Sequence, residues 1–83
     1  MNQHFGSLVL GLASQASAAL DGQLPPGAEQ AGTSDPRALA QALIDTLAVM
    51  EEKTRGNLDT DEARLIDQVL TSLRIRFATG KPG

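Results

Sequence analysis

Between two stretches of helical apolar periodicity the chain reads EEKTRGNLDTDE, from Glu51 to Glu62. Nothing else in the sequence restricts the fold as tightly, because almost every residue here either closes one helix or opens the next. Lys53 and Arg55 bring positive charge to the negative end of the preceding helix, and Gly56 stands where helices commonly end in the left-handed conformation. Asp59 and Glu62 have the spacing of a capping box, Leu58 and Ala63 that of a hydrophobic staple, and Asp61 adds negative charge at a positive helix end. A connection this short makes its two helices antiparallel neighbours. The predicted fold is therefore all-α and built on an antiparallel helical hairpin.

The flanking periodicity fills in the elements. Leu39, Ala40, Leu43, Ile44, Leu47 and Met50 form the apolar stripe of a helix over about 35–55, with Asp35 as its N-cap and Pro36 at its first position, where the missing N–H is not needed. Leu65, Ile66, Val69, Leu70, Leu73 and Phe77 do the same for a helix over about 60–78. Upstream, Phe5, Leu8, Val9, Leu12, Ala13, Ala16, Ala19 and Leu20 predict an N-terminal amphipathic helix over about 3–20, stopped at Asp21-Gly22. Gly6, Gly11, Ala13, Ala16 and Ala19 on that helix predict close approach by a neighbour, either its own hairpin or a second copy. Residues 22–34, GQLPPGAEQAGTS, read as an irregular connector. The expectation is one domain of three helices over residues 1–83, with no repeat and no strand pattern.

Composition then removes whole classes of function. A chain of 83 residues buries roughly 60–65% of its surface, so its stability is thin or shared with a partner. It has no cysteine, hence neither a disulfide framework nor a thiolate zinc site, and His4 is the only imidazole. No metal is expected. Asp59, Asp61 and Glu62 resemble the start of a calcium loop, but the residues after Glu62 enter a helical pattern instead of supplying further ligands. Glu51-Glu52 and Asp59-Asp61-Glu62 read as exposed helix ends rather than a carboxylate pair across a pocket, and no serine has a second histidine or a suitably placed lysine to activate it. Catalytic residues and cofactors are accordingly expected to be none, and the chain is not expected to be an enzyme.

Two Phe and no Trp or Tyr leave no stacking platform for single strands, and a net charge of −3 gives no basic footprint, so nucleic acid is not an expected partner. Arg74, Arg76 and Lys81 suit the end of a helix dipole; as a basic knob they would serve an acidic partner or RNA instead, and Arg74 is spaced to reach Asp45 across the hairpin. The run SLVLGLASQASAAL ends in a signal-peptidase-like Ala16-Ser17-Ala18, yet Met1 to His4 has no lysine or arginine and the apolar run is interrupted. It is also far short of the roughly 20 apolar residues that span a bilayer, and the first helix lacks the basic polar face of helices that lie on membranes, so membrane is not an expected partner either.

Taken together, Ile44-Asp45-Thr46-Leu47, the octet from Glu51 to Leu58 (EEKTRGNL) and Leu73-Arg74-Ile75-Arg76-Phe77 resemble a bacterial family of short helical proteins catalogued as domain of unknown function 1844. Phe5, Leu8, Ala13, Leu20, Asp45, Glu62 and the closing Leu-Arg-x-Arg-aromatic element extend that resemblance over nearly the whole chain. It implies a small helical fold and a bacterial, cytoplasmic setting, and supplies no catalytic residue, cofactor or substrate.

The resulting expectation is a helical protein that acts through self-association, a homodimer being favoured, or through contact with another protein. The candidate interaction surface comprises Phe5, Leu8, Val9 and Leu12 on the first helix, Glu51, Glu52, Lys53, Arg55 and Asn57 at the corner, and Arg74 and Arg76 near the end. Asp35, Pro36, Gly56, Asp59 and Glu62 are expected to be structural caps. Alternatives are a binding module whose N-terminal helix fills a partner groove or lies on a membrane surface, and an accessory protein associated with RNA or ribosomes.

Overall fold

The computed structural model describes residues 1–23 and 35–80. They form three helices, α1 (Gln3–Leu20), α2 (Pro36–Thr54) and α3 (Thr60–Thr79), with no strand among the described residues. Most of the connector and the tail carrying Lys81 lie outside them.

Each helix opens on a side chain that accepts one of the backbone N–H groups left without an intrahelical partner. Asn2 Oδ1 accepts from Phe5 N–H at 3.0 Å, Asp35 Oδ1 from Arg37 N–H at 3.0 Å, and Asp59 Oδ1 from Glu62 N–H at 2.8 Å. Pro36 sits in the first turn of α2. At the corner, Gly56 adopts φ 89°, a left-handed conformation that strains any residue with a Cβ. The turn from Arg55 to Asp59 is thus fixed by one glycine and one acid.

Contacts at the helix ends give the topology. Arg37, at the start of α2, lies against Phe77, at the end of α3, while Glu51 and Arg55 near the end of α2 line a cavity with Ala63, Ile66 and Asp67 of α3. The hairpin is therefore antiparallel. Asn2 bonds Glu62 and Ser17 bonds Arg76, so α1 runs parallel to α3. The order is up, down, up, and both ends of the undescribed segment 24–34 fall at the end of the bundle where α3 finishes.

The core draws on all three helices: Val9, Ala16, Ala19 and Leu20, then Leu39, Ala40, Ile44 and Leu47, then Ile66, Leu70 and Leu73. Leu47, Ile66, Leu70 and Val9 are the largest fully buried side chains. Thus α1 packs against its own hairpin through its inner face. Two expectations about α1 need correction. Leu8 is 53% exposed, because it falls about 100° around the helix from Val9, at the margin of the buried arc. Gly11 does not mediate close packing within the chain either: a Cβ there would meet nothing within 4 Å, whereas Gly6 is buried.

Candidate functional site

Two polar clasps fasten α1 to α3, one at each end. At the corner end Glu62 is the one buried charged residue of the described chain, 7% exposed, and both of its carboxylate oxygens are used. Oε1 accepts from Asp59 N–H at 2.9 Å, completing the capping box, and Oε2 accepts from Asn2 N–H at 2.8 Å. One carboxylate therefore serves the N-termini of two adjacent helices, where the summed peptide dipoles favour negative charge. The ammonium of Met1 pairs with Asp59 Oδ2 at 3.0 Å. Asp59 is held below the ordinary carboxylate range, chiefly by the backbone N–H of Glu62 and then by that ammonium. The ammonium in turn is raised, first by its hydrogen bond to Asp59 and then by that residue's charge.

At the opposite end Arg76 is half-buried and donates to Ser17 Oγ at 2.6 Å and Asp21 Oδ1 at 2.8 Å. Its place in a basic knob is thereby corrected: the guanidinium is spent holding the end of α1. Asp45 does not meet Arg74; it accepts from Gln41 Nε2 at 2.7 Å, one turn earlier on its own helix. Arg37 closes this end of the hairpin, its guanidinium carbon 3.8 Å from the Phe77 ring centroid and its Nη2 donating to the Phe77 carbonyl at 2.9 Å.

The corner itself is more than a turn. Glu51, Arg55, Gly56, Leu58, Ala63, Ile66 and Asp67 enclose an open cavity of about 370 Å³ with an apolar floor and charged walls. Leu58 and Ala63, the staple positions, contribute to it. Glu52, Lys53 and Asn57 are exposed beside it, and Asn57 N–H donates to the Thr54 carbonyl at 2.9 Å. Glu51 and Arg55 do not form the i, i+4 ion pair their spacing allows; the two ion pairs among the described residues are Met1–Asp59 and Arg76–Asp21.

On α1 the four proposed anchors separate. Val9 is fully buried and cannot reach a partner, which corrects its place on the interaction surface; Phe5 and Leu12 are half-buried; Leu8 stands out. Leu10, not among the anchors, is 54% exposed and projects on the other side of Val9. Between them the outermost positions are His4, Ser7, Gly11, Ser14 and Gln15. No Asp, Glu, Lys or Arg occurs from Gln3 to Leu20. The outer face of α1 is consequently neutral along its full length. Where α1 meets α3, Ala13, Ser17, Leu65, Val69 and Ser72 line a shallower groove of about 290 Å³.

No group of three or more metal-ligating side chains comes together among the described residues, and none of the described helices is long and apolar enough to cross a membrane. What the geometry defines is an all-α bundle of three helices, clasped at both ends, with one neutral and one charged exterior. The chain belongs to the family described as Domain of unknown function (DUF1844), whose model matches residues 2–79. No curated protein and no solved structure matches it.

Proposed function

We propose that the protein works by association rather than catalysis, as a homodimer joined through the neutral outer face of α1. The observation that carries this reading is the pairing of Leu8 and Leu10, both more than half exposed, with a helix of 18 residues that has no charged side chain. Apolar surface left on a small domain without flanking charge favours contact with another apolar surface. Half-buried Phe5 and Leu12 on the α2 side, and Leu65 and Val69 on the α3 side, continue the apolar surface beyond α1. Ser7, Gly11 and Ser14, three and four residues apart, form a small-residue strip along this face on which a second helix can come close, with His4 and Gln15 at its edge. Against catalysis stand a single histidine exposed near the chain start and acids at the start of α3 that are tied up in capping bonds. A cytoplasmic setting fits a chain without cysteine.

Light scattering at micromolar concentration tests the proposal, with Leu8→Asp/Leu10→Asp as the comparison. The expected result is a dimer for the native chain and a monomer of unchanged far-UV circular dichroism for the variant. A native chain that is monomeric and stable at that concentration contradicts it.

A further inference from the structure

The corner between α2 and α3 holds more charge than turning the chain requires. Gly56 and Asp59 fix the turn, yet Glu51 and Arg55 stand on the wall of the cavity of about 370 Å³, and Asp67 of α3 joins them there. Among the described residues none of these three side chains has an ion-pair or hydrogen-bond partner. Arg55 misses Glu51 for a local reason. As the C-cap of α2 it has ψ 129°, so the chain has left the helix before the i, i+4 geometry is complete. The floor between the charges is apolar: Ile66 is fully buried, Leu58 is half-buried, and Ala63 lies beside them.

This combination excludes most ligands. The cavity is at the small end of the range for ligand pockets, a fit for a single amino acid rather than a nucleotide. No aromatic ring lines it, so nothing there stacks a base. A divalent metal lacks donors, because no three metal-ligating side chains come together among the described residues. A phosphate would meet two carboxylates for one guanidinium, and a plain amine would meet Arg55 as well as the acids. A wholly apolar body would take all three charges out of water without a partner for any of them. Every group is matched by a molecule with a carboxylate for Arg55 and cationic ends for Glu51 and Asp67, joined by an aliphatic stem over Ile66 and Leu58. A basic amino acid has these parts in that order. Its net positive charge also answers the net negative charge left by two carboxylates and one guanidinium.

We propose that the α2–α3 corner is a binding site for a basic amino acid of the lysine or arginine type. The guanidinium of Arg55 donates to its carboxylate, and its cationic groups donate to the carboxylates of Glu51 and Asp67. The site is complete in one chain and independent of the α1 face. Capping and binding are thereby divided within the corner, Asp59 and Glu62 serving the first and Glu51, Arg55 and Asp67 the second. A free amino acid and a basic residue at the C-terminus of a peptide present the same chemistry, the second lacking only the α-ammonium.

Amide NMR of the full, isotopically labelled chain at about 20 mM NaCl, titrated with L-lysine, tests the site. The expected result is a saturable set of shifts confined to the amides around Glu51–Leu58 and Ala63–Asp67, with a millimolar or tighter dissociation constant. Two probes each drop one end of the ligand: cadaverine lacks the carboxylate and norleucine lacks the side-chain cation. Each is expected to bind about tenfold more weakly than lysine. Arg55→Gln narrows the gap between lysine and cadaverine, and Asp67→Asn narrows that between lysine and norleucine. Both residues are exposed, so circular dichroism is expected to be unchanged. Nα-acetyl-lysine separates the sources: binding equal to that of lysine assigns the site to a peptide C-terminus, weaker binding assigns it to the free amino acid, and both uphold it. Lysine that leaves the corner amides unshifted, or lysine, cadaverine and norleucine that bind alike, overturns the proposal.

Discussion

Two sides of one small bundle follow opposite rules. α1 has no charged residue in 18, whereas α2 carries five and α3 six. Both sides contribute in the same way to the core, through Val9 and Ala16 on one and Leu47, Ile66 and Leu70 on the other. The difference is confined to the exterior. Burial alone therefore does not set the character of a helix surface; α2 and α3 hold the solvent-compatible charges, and α1 keeps a neutral exterior that a free monomer would expose at some cost in solubility.

The sharpest way to break the comparison is to place the same substitution on adjacent residues of α1. Val9→Asp puts a carboxylate without a partner into the centre of the bundle and is expected to unfold the chain, read as loss of the cooperative thermal transition in circular dichroism. Leu10→Asp, one residue on, is expected to leave that transition nearly in place. If both behave alike, the inner and outer faces of α1 are not distinct.

Leu47→Ala tests the hairpin side. Leu47 is fully buried, and its truncation is expected to cost about 2–5 kcal/mol in urea unfolding. Glu62→Ala comes next, at about 1–3 kcal/mol, since it strips the N–H groups of Asn2 and Asp59 of their acceptor at the start of both α1 and α3. Glycine offers a further paired contrast. Gly56→Ala is expected to destabilise by about 1–2 kcal/mol because φ is 89° there. Gly11→Ala stabilises the helix by up to about 1 kcal/mol, since its Cβ meets open space, while weakening any close contact with a second α1.

The smallest expected effect is the pH dependence of the corner clasp. Asp59 has a folded pKa below its unfolded value, so its contribution is complete above the ordinary carboxylate range and is lost as pH falls through the lowered folded value. The Met1 ammonium has a raised pKa, so its contribution is complete below its ordinary value and fades as pH rises through the raised one. Asp59→Asn is expected to flatten both limbs in a series of melting temperatures, and a native chain without such an acid limb would remove the clasp.

Much of this was legible in the chain because it is local. Asp59, Glu62 and Gly56 act within a few residues of one another, and the structure puts the α2–α3 corner where their order predicts it. The orientation of α1 was less legible. Apolar residues at 5, 8, 9, 10, 12 and 13 cover more than one face, so periodicity alone did not decide that Gly6 turns inward and Leu8 outward. The clasps were not legible at all: Asn2 and Glu62 are 60 positions apart, and Ser17 and Arg76 are 59. Arg74 and Arg76 look interchangeable as letters, yet only the second meets α1.

The neutral face of α1 is the central claim, and the absence of cysteine makes it directly accessible to a single spin label. Thr71→Cys carries a nitroxide on the exposed side of α3, clear of the outer face of α1, and double electron–electron resonance then reads the separation between copies. A narrow inter-copy distance, lost on adding Leu8→Asp/Leu10→Asp, is the predicted result. No dipolar coupling between copies at a concentration where the chain is fully folded would contradict the account.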